Sequence, residues 1–143
     1  MQNRSVPADI ILPHIVYENL SAAIDWLVRV FGFTEHYRYG DPVQGAQLHL
    51  GNAHIMVRTA RGPQKSPASL GFGTQSPTVF VEDVEAQLRQ ARSGGAKIVE
   101  ELNVTPYGEE QIGVEDLEGH HWLFARHVKD VDPTTWGAEV KRG

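Results

Sequence analysis

The chain has 143 residues, 41% of them hydrophobic, with 18 acidic and 13 basic side chains and a net charge of −5. One core can be built at that size, and the acidic balance argues against a nucleic-acid partner, whose binding draws on clustered Lys and Arg. Cysteine is absent, which removes disulfides, thiolate metal sites and cysteine nucleophiles.

Residues 10–17 are predicted as strand one, rich in β-branched residues, with Pro13 marking an edge or a bulge. Asn19 is a good N-cap for a first helix, in which Ala23, Ile24, Leu27, Val30 and Phe31 recur at helical spacing until Gly32 stops it. Trp26 and Phe31 read as core. Strands two (33–39), three (46–50) and four (53–58) follow, separated by turns at Gly40-Asp41-Pro42 and Gly51-Asn52. Residues 60–75, rich in Gly, Pro and Ser, form a connection. Strand five covers 78–81, and Asp83 caps a second helix running through Ala86, Leu88 and Ala91 to Gly94-Gly95. Strand six (96–100), strand seven (111–115), the turn Asp116-Leu117-Glu118-Gly119 and strand eight (120–128) complete the pattern. The tail beyond Asp130 is expected on the surface or on a second subunit.

The second half repeats the first. Glu18, Ala22, Ile24 and Leu27 each have a helical counterpart 64 residues on, at Glu82, Ala86, Leu88 and Ala91. The fold class is therefore α+β: one domain of two tandem βαβββ modules, residues 10–60 and 76–128, with linker 61–75 and tail 129–143. No run approaches the roughly 20 apolar residues needed to cross a bilayer, and residues 1–9 carry no apolar stretch of signal-peptide length. A soluble, cytoplasmic protein without a membrane partner is expected.

Three segments carry a resemblance: Ala23-Ile24-Asp25-Trp26 with Val30-Phe31-Gly32-Phe33, then Val81-Glu82-Asp83-Val84, then Asp116-Leu117-Glu118-Gly119-His120 entering a terminal strand. Together they resemble the vicinal oxygen chelate superfamily of glyoxalases, bleomycin-resistance proteins and extradiol dioxygenases. The resemblance implies curved mixed sheets around a cavity, helices on the outer face, and a homodimer. Sheet alternation turns Val79, Val81, Leu48, Leu50, Ile55, Val57, Trp122 and Phe124 toward the helices. The opposite parity forms the cavity wall: Leu12, His14, Val16, Gln47, His49, His54, Met56, Arg58, Ser76, Thr78, Phe80, His121, Leu123 and Ala125.

The family's four metal-ligand positions fall on Leu12, Met56, Ser76 and Leu123, a set poor in N and O donors, so no cofactor is expected. The alternative is a Zn, Ni or Fe site built from the shifted histidines His14, His54 and His121. His14 and His121 are the candidate catalytic acid/bases, and Arg58 could clamp a carboxylate or phosphate. The ligand-binding candidates are His14, Gln47, His49, His54, Met56, Arg58, Thr78, Phe80, His121 and Leu123. The adjacent carboxylates Glu100-Glu101 and Glu109-Glu110 face opposite ways on a strand and read as solvated surface. No sequence context marks Ser66, Ser69 or Ser76 as a nucleophile. The function expected is a small-molecule binder that lacks the usual metal and sequesters an organic compound; the alternative is an enzyme of the same superfamily.

Overall fold

Two strand-rich halves pair their own strands and then share one core. In the computed structural model, which describes residues 1–4 and 11–141, the first half comprises β1 (His14–Tyr17), α1 (Leu20–Trp26), β2 (Thr34–Tyr39), β3 (Gly45–Leu50) and β4 (Ala53–Thr59). After α2 (Pro67–Leu70) come β5 (Thr78–Phe80), α3 (Val84–Ser93), β6 (Lys97–Val104), β7 (Glu109–Glu115) and β8 (His121–His127). Two four-stranded mixed sheets result, ordered β1-β4-β3-β2 and β5-β8-β7-β6, neither closed into a barrel. Their registers echo each other: His14 lies beside Met56 in the parallel pair β1–β4, as Thr78 lies beside Leu123 in β5–β8.

Strand one is shorter than predicted. Ile10 falls outside the described residues, and the ladder begins only after Pro13, which has no N–H to donate but still accepts from Met56 N at 2.8 Å. The first helix also differs, because after Trp26 it widens into a π-helical turn, Leu27–Phe31, before Gly32 ends it at φ +84°. Two glutamines of α3 stabilise that turn: Gln87 donates to Phe31 O at 2.8 Å and Gln90 to Arg29 O at 3.2 Å. Orphan carbonyls of one helix are thus satisfied by its duplicate.

The core lies between the helices and both sheets. Phe31 packs edge-on against Trp122 and Phe124, with ring centroids 5.7 and 5.0 Å apart, and Leu48, Ile55, Val57, Val79 and Ile112 fill the same layer. Each such side chain contributes about 1.5–3 kcal/mol when fully buried. No helix among the described residues is long and apolar enough to span a membrane.

Polar contacts hold the seam between the halves. The buried Asp116 carboxylate accepts from the Tyr17 hydroxyl (2.6 Å), the Trp122 indole N–H (3.0 Å) and the backbone N–H groups of Glu118 and His120 (3.0 Å each). Burial, with the Asp116 charge second, pushes the Tyr17 phenol well above its usual pKa, so it remains a donor throughout the folded range. Glu118 accepts from the N–H groups of Glu18 (2.7 Å) and Asn19 (2.9 Å), and the His120 ring lies 2.7 Å from Val16 O.

Replacing Asp116 by Ala strands four donors and is expected to cost about 3–5 kcal/mol, whereas Tyr17→Phe removes one of them and costs about 1.5–3 kcal/mol. Urea midpoints at unchanged m-value check both. A loss no larger than about 0.5 kcal/mol for Asp116→Ala, typical of surface substitutions, would show that the seam does not depend on this carboxylate.

Candidate functional site

The connection between the modules builds the site. Its sequence reads as loop, yet Ser66 caps a short helix whose N1 position is Pro67 and whose C-cap is Gly71 at φ +88°. Glu18 reaches across to accept from Ser66 N (2.9 Å), the Ser66 hydroxyl and the Ser69 hydroxyl (2.6 Å). The hydroxyls of Ser66 and then Ser69 hold the Glu18 carboxyl down to about 2 from an ordinary 4.5. On the other side Ala68 N donates to Glu118 O at 2.9 Å, and Gly119 (φ +86°) leaves room for that approach, since a Cβ there would come within 3.0 Å of Ala68 N.

Two hollows flank this connection. The first, of about 620 Å³, lies between His14, Ile15 and Val16 of β1, Arg58 of β4, and Pro63, Lys65, Leu70 and Phe72 of the linker, with His120 and Trp122 at its base. Its charged lining is entirely basic. Arg58 is held at the rim by Gln64 Oε1 (2.9 Å) and Thr59 O (3.3 Å). The second hollow, about 740 Å³ and more open, lies over β6–β8 between Val99, Glu100, Glu115 and His121. Its charged lining is acidic, with Lys97 pairing Glu115 at 3.7 Å outside it. Residues 73–76 form a wall common to both.

The wall residues named from the sequence are distributed unevenly. His14 and Arg58 border the first hollow, His121 the second, and Ser76 both. Gln47 (0% exposed) and Met56 (7%) border neither. They are bonded together: Gln47 Nε2 and Tyr37 OH both donate to Met56 Sδ, at 3.6 and 3.7 Å, while Gln47 Oε1 meets the His36 ring at 2.6 Å. His49 and His54 are cross-strand partners with ring centroids 5.3 Å apart, tied to Gly51 O and Asn52 O at the hairpin end. Thr78, Phe80 and Leu123 lie on the β5–β8 face outside both hollows, Phe80 with 63% of its surface exposed.

Glu100 corrects the expectation of a solvated surface. Strand six runs on to Val104, and register shifts on both sides of Glu100 place it opposite Gly113, within the second hollow, while Glu101 pairs with Arg92 on the other face at 2.7 Å. Glu18, Glu118, Lys65, Phe72 and His120 were also missed as site-forming residues. Only Ser66-Pro67 followed by Gly71, a capped-helix signature, could have announced the linker's structure.

At the positions implied for metal ligands, Leu12 and Leu123 offer no donor atom and Met56 Sδ is already engaged by two hydrogen bonds. His14, His54 and His121 do not converge: among the described residues no three His, Cys, Asp or Glu side chains are grouped to hold a metal ion. Among the described residues, the side chains at these positions offer no grouped donor set of the kind a divalent metal takes.

Comparison with known proteins agrees with this architecture. A family model described as Glyoxalase/Bleomycin resistance protein/Dioxygenase superfamily matches residues 10–124. TioX from Micromonospora sp. ML1 is 34% identical, covering 85% of this chain and 100% of that one at a TM-score of 0.71. An uncharacterised Mycobacterium tuberculosis protein is 29% identical over 128 residues, covering 84% of this chain and 75% of its own length. A glyoxalase/bleomycin resistance protein/dioxygenase from Nocardioides shares the fold at 14% identity, with a TM-score of 0.66 and 87% of each chain covered.

Because the Glu18 pKa is depressed on folding, its contribution is complete above the unfolded value of 4.5 and lost as pH falls toward about 2. Glu18→Gln is expected to flatten the decline of the urea midpoint across that window relative to the parent. Identical pH profiles for the two proteins would remove Glu18 as the latch of the linker.

Proposed function

The chain belongs to the glyoxalase/bleomycin resistance protein/dioxygenase superfamily, and we propose that it is a metal-independent member that captures a small organic molecule in the cytoplasm. The first hollow carries this reading. Its volume of about 620 Å³ falls in the range of about 300–1,000 Å³ common to small-molecule sites. Pro13, Ile15, Leu70 and Phe72 supply apolar surface, and Arg58 and Lys65 supply basic groups. That combination suits an apolar, preferably aromatic, compound with one acidic group: burial of the body gives the affinity, and Arg58 donates to the carboxylate or sulfonate in a charge-assisted contact.

Coordination of a substrate to a metal is the weaker reading, because two of the family positions are leucines without a donor atom, the third is a methionine whose sulfur is engaged, and the fourth is a serine whose hydroxyl is bonded to His121. The capturing form is a homodimer: β5 is an edge strand carrying the exposed Phe80, and a second copy is the occupant we assign to it.

Isothermal titration with 8-anilinonaphthalene-1-sulfonate in excess EDTA is expected to give saturable binding. Arg58→Met should weaken it about tenfold, or about 1.4 kcal/mol, and the uncharged N-phenyl-1-naphthylamine should bind the parent more weakly by a similar factor. Binding that appears only when a divalent metal is added would overturn the proposal, as would its absence in either condition.

A further inference from the structure

Ser76 and His121 meet at the wall that the two hollows share. The exposed Ser76 Oγ lies 2.7 Å from His121 Nδ1. The other ring nitrogen, Nε2, is buried above Gly113 with no hydrogen-bond partner. A methyl group on Gly113 would come 3.0 Å from that nitrogen and 3.3 Å from Glu100 Oε2, so ring and carboxylate converge over the same spot. Glu100 is held there: its Oε1 accepts from Gln111 Nε2 and Asn103 Nδ2, both at 2.9 Å, while its Oε2 lies on the ring side without a hydrogen bond to the ring.

A neutral imidazole has one N–H proton to place. On Nε2 it lies on the side of the ring where the Glu100 carboxylate approaches Gly113, though no hydrogen bond joins them; on Nδ1 it would leave a buried lone pair on that side instead. Electrostatics favours the first arrangement, which makes Nδ1 the acceptor of the Ser76 proton. The three groups then stand in the order carboxylate, imidazole, hydroxyl, with the hydroxyl at the accessible end.

We propose that Ser76, His121 and Glu100 form an acyl-transfer site for small activated esters. Ser76 Oγ attacks the ester carbonyl carbon as its proton passes to His121 Nδ1, and a C–O bond forms. The tetrahedral adduct collapses, the C–O bond to the alcohol breaks, and the departing oxygen takes the proton from His121, leaving an acyl ester on Ser76. Water completes the cycle by the same route, giving its proton to His121 and releasing a carboxylic acid. Glu100 is a positioning residue that opposes the charge of the transient imidazolium. Gly73, Thr74 and Gln75 line the second hollow, and among the described residues their backbone N–H groups have no acceptor, which leaves them for the carbonyl oxygen as it becomes negative. Ser76 borders both hollows, but the capture reading rests on Arg58 and the apolar lining of the first, and this site on His121 and Glu100 in the second.

The test uses the full chain, 4-nitrophenyl acetate and rapid-quench mass spectrometry with peptide mapping. Acetylation should appear on Ser76 at least about a hundredfold faster than on N-acetylserinamide, and His121→Gln should remove about that factor. Glu100→Gln should slow it less, and Ser76→Ala should abolish it. Far-UV circular dichroism and the urea midpoint report whether each variant is folded. Failure to acetylate Ser76, acetylation confined to lysine or histidine, or an unchanged rate in a folded His121→Gln protein would each overturn the proposal.

Discussion

The arrangement depends on a buried carboxylate that belongs to one module and is saturated partly by the other. Each βαβββ unit can satisfy its own strands, but neither can bury its helix-facing layer alone. Asp116 fixes how the two layers meet, since a phenol from β1, an indole from β8 and two amides of its own turn must reach its two oxygens together. Glu118, two residues on, anchors the start of the first helix, and His120 anchors the end of β1. The turn before β8 is thus a clasp, which gives a physical reason for Asp-x-Glu-Gly-His as a block: two anions, a residue free to take positive φ, and a ring that reaches a neighbouring carbonyl.

Once the clasp is closed, the linker has little freedom. Ala68 is tied to Glu118 and the Ser66 end to Glu18, so residues 73–76 must cross the seam at one height. That crossing divides a single cleft into a basic chamber and an acidic one. Opposite charges on two sides of a thin wall select for different chemistry in each, and a ligand entering one is not helped by the groups lining the other.

Much of this was legible from residues. The duplication at 64 residues, the caps Asn19 and Asp83 and the helix stop at Gly32 follow from local chemistry and reappear as the observed elements. Alternation along β3, β4 and β8 correctly sends Leu48, Val57, Trp122 and Phe124 to the core. What sequence could not convey was local slippage and long-range polar pairing. Register shifts in β6 re-aim Glu100, and alternation assumes an unbroken ladder. Contacts such as Glu18 to Ser66 or Tyr17 to Asp116 span 48 and 99 residues and leave no periodic trace. Gln47 and Met56 have the parity expected of a cavity wall, but parity gives a direction, not whether neighbours close over it.

The two modules have diverged in what they do with the same face. In the first, Tyr39 lies across its partner Gly45, where a Cβ would come within 2.6 Å of several ring atoms, and Tyr37, Gln47 and Met56 satisfy one another beside it. In the second, the pairing that corresponds to Tyr37 with Gln47 sets Glu100 across Gly113, and the polar atoms next to it are left with unused capacity. A glutamine at that position closes a bonded cluster with Tyr37 and Met56; a glycine there, beneath a carboxylate and an imidazole, gives a polar pocket whose members are not fully paired. Unpaired buried polar groups are costly, and a fold keeps them where something compensates. The first sheet therefore closes over its own polar groups on that face and meets a hollow at its β1–β4 end, through His14 and Arg58, while the second sheet sets Glu100 and His121 against the hollow that the linker walls.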